Sequence, residues 1–81
     1  MSKRIGVVAI IIEDKENVPM VNKLLSDYGE IIVGRMGLPY KEKKVSIISI
    51  IVDGTTDEIG ALTGKLGRLN EVTVKSALTQ K

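Results

Sequence analysis

Apolar residues recur along this 81-residue chain with two different periods, and the changes of period divide it into six predicted elements. Stretches rich in Ile and Val predict strands, because β-branched side chains favour sheets. Stretches with apolar residues at every third or fourth position predict helices. The predicted strands are residues 4–13, 31–38, 45–52 and 72–78, and the predicted helices are residues 18–28 and 56–68.

Residues at the expected helix ends support both predicted helices. Asn17 is a favourable N-cap for the first helix, and Gly29 is predicted to end it in the left-handed conformation. Thr55 and Glu58 have the spacing of a capping box at the start of the second helix. Asn70 is predicted to be its left-handed C-terminal residue.

The order strand–helix–strand–strand–helix–strand is typical of the ferredoxin-like split βαβ fold. We therefore predict one α+β domain over residues 1–81. It should have a four-stranded antiparallel sheet, with the first and third strands in the middle and both helices on one face.

The third predicted strand carries apolar side chains on both faces, whereas two helices can cover only one face of a sheet. One set is Val45, Ile47 and Ile51, and the other is Ile48, Ile50 and Val52. The uncovered set would form an apolar patch of the kind that usually marks an interface. The alternative interpretation is that these are a few isoleucines tolerated on the surface. We predict a homo-oligomer, a dimer or a larger assembly, joined through this face. The pattern leaves open which set faces the partner, and we assign Ile48 and Ile50 to the interface.

Three glycines in the second predicted helix form a ridge opposite its leucine stripe. They are Gly60, Gly64 and Gly67. Each costs about 1 kcal/mol relative to alanine in a helix interior, so their clustering indicates that a backbone or a ligand comes close there. The alternative is a helix weakened by drift, with Gly67 merely near its end.

The segment of residues 34–40, into which the second predicted strand runs, is the best candidate for a ligand site or an interface. Its candidate residues are Gly34, Arg35, Met36, Gly37, Pro39 and Tyr40. An arginine can hold a carboxylate or phosphate with two parallel hydrogen bonds, and glycines allow a ligand to approach the backbone. A bulged strand leading into an ordinary hairpin is the alternative. The lysines that follow, at 41, 43 and 44, are interpreted as a solvated turn.

Composition excludes several kinds of chemistry. The chain has neither His nor Cys, so it lacks a histidine base and the usual ligands of zinc, haem and iron–sulfur clusters. The acidic residues Asp53, Asp57 and Glu58 match no calcium loop and are interpreted as first-turn carboxylates that the helix dipole stabilises. We therefore predict a protein that is not an enzyme and has no cofactor or bound metal.

Charge and hydropathy exclude two classes of partner. The formal net charge of +2 is far from the dense basic surface of a protein that binds nucleic acid directly. The longest apolar run, residues 5–12, is too short to span a bilayer. We predict a cytoplasmic protein without a membrane partner.

Several motifs, in order along nearly the whole chain, resemble a known family. They are Gly34–Tyr40, Val45–Ser49, Asp53–Ile59, Ala61–Leu69 and Val72–Ser76. Together they are similar to a small family of regulators of the iron-only hydrogenase system. The resemblance implies an ACT-like ferredoxin fold, similar to the ligand-sensing domain of the nickel-responsive repressor, and a regulatory role.

The chain departs from relatives of that fold in three respects. The first strand begins by Arg4, so we expect no ribbon-helix-helix DNA-binding segment like that of the nickel-responsive repressor. The repressor's His and Cys metal ligands have no counterpart here. Amino-acid-binding ACT domains place a glycine in the first strand–helix loop, which here reads Glu-Asp-Lys-Glu-Asn at residues 13–17.

The leading functional hypothesis is a stand-alone regulatory module that acts as an oligomer and binds a small-molecule effector or a protein partner. A purely structural interaction protein without a ligand is the second hypothesis. A small acylphosphatase-like enzyme is a third, against which the acidic Glu13 and Asp14 argue. Direct repression of transcription is a fourth, which the missing DNA-binding element disfavours.

Overall fold

The computed structural model describes residues 3–79, and its elements follow the predicted order. The strands are β1 Arg4–Ile12, β2 Ile32–Tyr40, β3 Val45–Gly54 and β4 Val72–Leu78, and the helices are α1 Val18–Asp27 and α2 Thr56–Gly67. All strand pairs are antiparallel, and the order across the sheet is β2-β3-β1-β4. The predicted α+β, ferredoxin-like fold, with the first and third strands in the middle, is confirmed.

Both helices pack on one face of the sheet, and the core lies between them and the central strands. Its fully buried side chains are Val8, Ile10 and Ile12 of β1, Ile50 and Val52 of β3, Val21 and Leu25 of α1, and Ile59, Leu62 and Leu66 of α2. Each such side chain stabilises the fold by about 1.5–3 kcal/mol relative to full exposure. The core is therefore aliphatic.

The assignment of Ile48 and Ile50 to the uncovered face is wrong. Ile48 is 5% exposed and Ile50 is 0% exposed, because both lie beneath the helices. The register pairs them with Ile10 and Val8, which are also fully buried. The alternate residues of β3, among them Ile51, point away from the helices.

The start of α2 is built as predicted, whereas the start of α1 is not. Thr55 Oγ1 accepts a hydrogen bond from the Glu58 N–H at 3.1 Å, and Glu58 Oε1 accepts one from the Thr55 N–H at 2.8 Å. Asn17 occupies the N-cap position of α1, but its side chain makes no capping bond. It donates instead to the carbonyl of Asn70.

The predicted left-handed residues, Gly29 and Asn70, are wrong. Among residues 3–79 the positive φ angles belong to Lys44, at 58°, and Glu71, at 59°. After α1 the chain enters a 3-10 turn at Gly29–Ile31 instead of reversing. The carbonyl of Glu71 accepts a hydrogen bond from the Glu13 N–H at 2.9 Å, so pairing at the end of β1, and not side-chain preference, sets this turn.

None of the helices within residues 3–79 combines the length and the apolar character needed to cross a membrane.

Candidate functional site

The sheet face that points away from the helices is apolar and exposed, and we call it the open face. Its exposed large apolar side chains are Ile5, Val7 and Ile11 of β1, Met36, Leu38 and Tyr40 of β2, and Ile51 of β3. Their exposed fractions run from 38% for Tyr40 to 71% for Met36. A contiguous patch of this kind is typical of an interface.

Charge on the open face lies at its margins. Asp53 stands near the end of β3, opposite Ile5. Lys75 stands on the edge strand β4, opposite Ala9. An apolar centre with a polar rim is the usual anatomy of a protein–protein contact.

A hollow of about 190 Å³ lies on the open face beside Gly34. It is lined by Gly34, Arg35, Met36, Ser49 and Ile51. A Cβ atom built on Gly34 would meet nothing within 4 Å. The missing side chain at Gly34 and the small side chain of Ser49 leave room for a group from outside the chain.

The predicted site segment lies on β2, and the pleat divides its residues between the two faces. Arg35 pairs with the buried Ile50 on the helix side, where its Nη2 donates to Asn22 Oδ1 of α1 at 2.9 Å. Tyr40 pairs with Val45 on the open face. Arg35 and Tyr40 therefore lie on opposite faces of one strand, and β2 does not bring them into a single site.

The other residues of the segment divide in the same way. Gly34 and Met36 share the open face with Tyr40, and Gly37 and Pro39 share the helix side with Arg35. The register shifts between Ile32 and Gly34, which marks a bulge. The bulged strand leading into a hairpin, which the sequence left as the alternative, describes this backbone.

A second concave site, of about 620 Å³, lies between the β2–β3 hairpin and the turn that follows β1. We call it the hairpin groove. Residues 13–15 line one side, and Pro39–Lys41 and Lys44–Ser46 line the other. Its volume is within the range of about 300–1,000 Å³ that is usual for small-molecule sites.

The hairpin groove has a lining of mixed charge. Lys41 and Lys44 face Glu13, Asp14 and Lys15 across it. Among the described residues, Lys23 and Asp27 of α1 form a salt bridge, whereas none of the groove lysines is paired with a carboxylate. The Asp14 carboxylate is engaged, because it accepts a hydrogen bond from the Glu16 N–H at 3.0 Å.

The glycine ridge of α2 is exposed along its length. A Cβ atom built on Gly60, Gly64 or Gly67 would meet nothing within 4 Å. No part of the described chain therefore makes the close approach that the glycine spacing predicts.

Asp57 and Glu58 lie in the first turn of α2, and the Glu58 carboxylate also caps the helix. The N–H of Thr55, and then its hydroxyl, hold the pKa of the Glu58 carboxyl below its ordinary value. Residues 3–79 contain no group of three or more potential ligand side chains that could hold a metal ion.

Sequence reasoning missed the first side of the hairpin groove. The sequence pattern places residue 13 at the end of the first predicted strand and residues 14–15 in the loop after it, and it predicts a solvated turn at Lys41 and Lys44. A signal for the groove was present, because the end of β1 and the start of β3 are neighbours in any antiparallel pairing of these strands. The segments that follow β1 and precede β3 must then lie close together.

Solved structures with low sequence identity share the fold. CPII from Thiomonas intermedia K12, a nitrogen regulatory PII-like protein, has a TM-score of 0.54 and 16% identity, covering 94% of this chain and 91% of its own. The divalent ion tolerance protein CutA1 from Ehrlichia chaffeensis has a TM-score of 0.51 and 13% identity, covering 100% of this chain and 86% of its own. No protein of curated function has a significant match to the chain.

A much nearer likeness covers the whole fold. The uncharacterized protein TM1266 from Thermotoga maritima has a TM-score of 0.92 and 34% identity, covering 98% of this chain and 100% of its own. Residues 4–76 also match the TM1266-like family, whose provisional description is iron-only hydrogenase system regulator. The chain therefore belongs to the TM1266-like family.

Proposed function

We propose that this protein regulates the iron-only hydrogenase system as a homo-oligomer that is joined through its open face and responds to a small ligand in the hairpin groove. The observation that carries the proposal is the exposure of Ile5, Val7, Met36 and Ile51 on one continuous sheet face. The family supplies the regulatory context.

The size of the open face supports an interface. Four strands of about nine residues span roughly 19 Å by 30 Å, or about 570 Å² in projection. The relief of the side chains adds to this area. The result is comparable with the roughly 800 Å² that each partner buries in a standard interface.

The position of Tyr40 gives the ligand a means of acting on assembly. Tyr40 belongs to the open face and also lines the hairpin groove. A ligand in the groove would therefore contact the edge of the interface. It would shift the assembly only to the extent that it binds one arrangement of subunits better than another.

The first experiment measures mass in solution by light scattering at micromolar concentration, with a matched pair of variants on β3. We expect wild type to exceed the monomer mass of 8.8 kDa. Ile51, which is 45% exposed, tolerates lysine in the monomer, so Ile51→Lys should fold and stay monomeric. Ile50 is 0% exposed, so Ile50→Lys should fail to fold, because a buried unpaired charge is costly. A wild-type monomer would remove the proposed interface.

The second experiment screens the groove for a ligand by thermal shift. Amino acids, nucleotides and metal ions are the probes, and adenine nucleotides come first because CPII has been observed bound to ADP, AMP and acetate. A ligand at about 100 times its Kd stabilises the protein by about 2.7 kcal/mol. The shift should be lost in Tyr40→Ala, while Met20→Ala, an exposed change on α1, should keep it.

The alternative function is a structural interaction protein without a ligand. The hairpin groove then has no occupant, and no probe should shift the melting temperature, although the protein still assembles through the open face. The screen and the mass measurement together separate the two hypotheses.

A further inference from the structure

The strand register places small and large side chains of the open face in a regular arrangement. The row Arg35–Ile50–Val8–Ser76 crosses the middle of the sheet, and these residues point toward the helices. On one side of this row the open face carries Met36, Ser49 and Ala9. On the other side it carries Gly34, Ile51 and Val7.

Each of the three strands therefore has one large and one small residue that flank the same central row. In β2 the large residue is Met36 and the small one is Gly34. In β3 the order along the sheet is reversed, because Ser49 lies beside Met36 and Ile51 lies beside Gly34. A two-fold rotation about the central row would therefore place each large residue over the position of the small residue on the same strand.

We infer that two copies of this chain pack open face to open face around a two-fold axis along the row Arg35–Ile50–Val8–Ser76, with Met36 of each copy seated in the hollow beside Gly34 of the other. This rotation sets Met36 over the partner's Gly34, Ile51 over the partner's Ser49, and Val7 over the partner's Ala9. A two-fold interface requires such self-complementarity. The inference rests on the proposed assembly through the open face.

The exposure and the volumes agree with this arrangement. Met36 is 71% exposed, more than any other large apolar side chain of the described residues. The hollow beside Gly34, at about 190 Å³, is comparable with the engineered cavity of about 150 Å³ that holds benzene. Lys75 is placed over the partner's Ala77 at the β4 edge, where the lysine amine can reach solvent.

The test first fills the hollow beside Gly34 with a side chain and then exchanges the residues at positions 34 and 36. Gly34→Met should leave the monomer intact, because a Cβ atom at Gly34 meets nothing within 4 Å, and should weaken dimerisation at least tenfold. Adding Met36→Gly to it moves the protrusion across the axis and should restore the wild-type dissociation constant to within about threefold, since the axis relates the two positions. Gly37→Met is the control on the opposite face of β2, where a Cβ atom has ordinary contact at 3.9 Å, and it should dimerise as wild type does.

Sedimentation equilibrium measures the dissociation constants, and circular dichroism checks folding. If the β2 variants fail to fold, Ser49→Ile and the double variant Ser49→Ile with Ile51→Ser make the same test in β3. A wild-type dimer that tolerates Gly34→Met, or that the exchange does not restore, overturns this arrangement and leaves the proposed assembly standing. A wild-type monomer overturns both.

Discussion

Among single residues, Thr55 and Glu58 have the most clearly defined structural role. Each side chain accepts a hydrogen bond from the other residue's backbone N–H, which satisfies two donors that a helix start leaves open. Thr55 keeps extended φ and ψ angles of −72° and 159°, as an N-cap requires. These contacts are local in sequence, so their spacing alone predicts them.

Thr55→Ala should lower the free energy of unfolding by about 1 kcal/mol, because it leaves the Glu58 N–H without its partner. Urea denaturation followed by circular dichroism measures the change. The control is Thr56→Ala, the exposed first residue of α2, which should change stability by less than about 0.5 kcal/mol. Equal losses in the two variants would show that the cap is not formed.

The Glu58 carboxyl also gives stability a defined dependence on pH. Its pKa is lowered in the folded state, chiefly by the N–H of Thr55. The folded state therefore binds this proton less readily than the unfolded state. The stabilisation is fully present above the unfolded pKa and is lost as pH falls through the folded pKa.

Glu58→Gln removes this titration, so the stability difference between wild type and Glu58→Gln should shrink as the solution is acidified. Urea denaturation at a series of pH values between neutral and strongly acidic conditions measures the difference. Asp57→Gln, a neighbouring first-turn carboxylate without the capping bonds, is the control. A difference that stays constant or grows on acidification would contradict the assigned direction.

At the scale of elements, glycines have opposite roles in β1 and α2. A Cβ atom on Gly6 of β1 would lie 2.8 Å from the carbonyl oxygen of Ala77, so β4 packs against the bare backbone there. A Cβ atom on Gly64 of α2 would meet nothing within 4 Å. Packing against β4 requires the glycine at position 6. The glycine at position 64 has no such packing role, and it loses more backbone entropy on folding than another residue would.

Gly64→Ala should raise the free energy of unfolding by about 0.5–1 kcal/mol, because alanine favours the helix and no neighbour obstructs it. Gly6→Ala should lower it by about 1–3 kcal/mol, because β4 must move to admit the methyl group. Thermal denaturation of both variants tests the contrast. A loss of stability in Gly64→Ala would indicate that a partner packs on the glycine ridge of α2.

At the scale of the whole molecule, the open face couples folding to association. A chain of this size buries only about 60% of its unfolded surface, so a large exposed apolar face reduces a stability that is already small. Packing two such faces together would bury side chains on both central strands. The native state of the oligomer would then be favoured by mass action.

The melting temperature should therefore rise with protein concentration, by about 3–6 °C for each tenfold increase when a dimer unfolds directly to separate chains. Scanning calorimetry over two decades of concentration measures the slope. Ile51→Lys is the control and should melt at one temperature throughout. A wild-type melting temperature that is independent of concentration would argue against a dimer.

The sequence by itself determined the element order, the start of α2, and the presence of apolar residues on both faces of the central strands. These features depend on local spacing, capping chemistry and the period of the side chains, and each of these can be recognised from the order of the residues alone. It also excluded histidine and cysteine chemistry by composition.

Only the tertiary structure decided which face is open. The alternation of side chains along β3 shows that Ile48 and Ile50 share one face and that Ile47 and Ile51 share the other. It does not show which of the two faces the helices cover. The direction in which the helical crossovers pass over the sheet decides between them. The same long-range pairing brings residues 13–15 against the hairpin to form the groove, and it places the left-handed turn at Glu71 through the bond to Glu13.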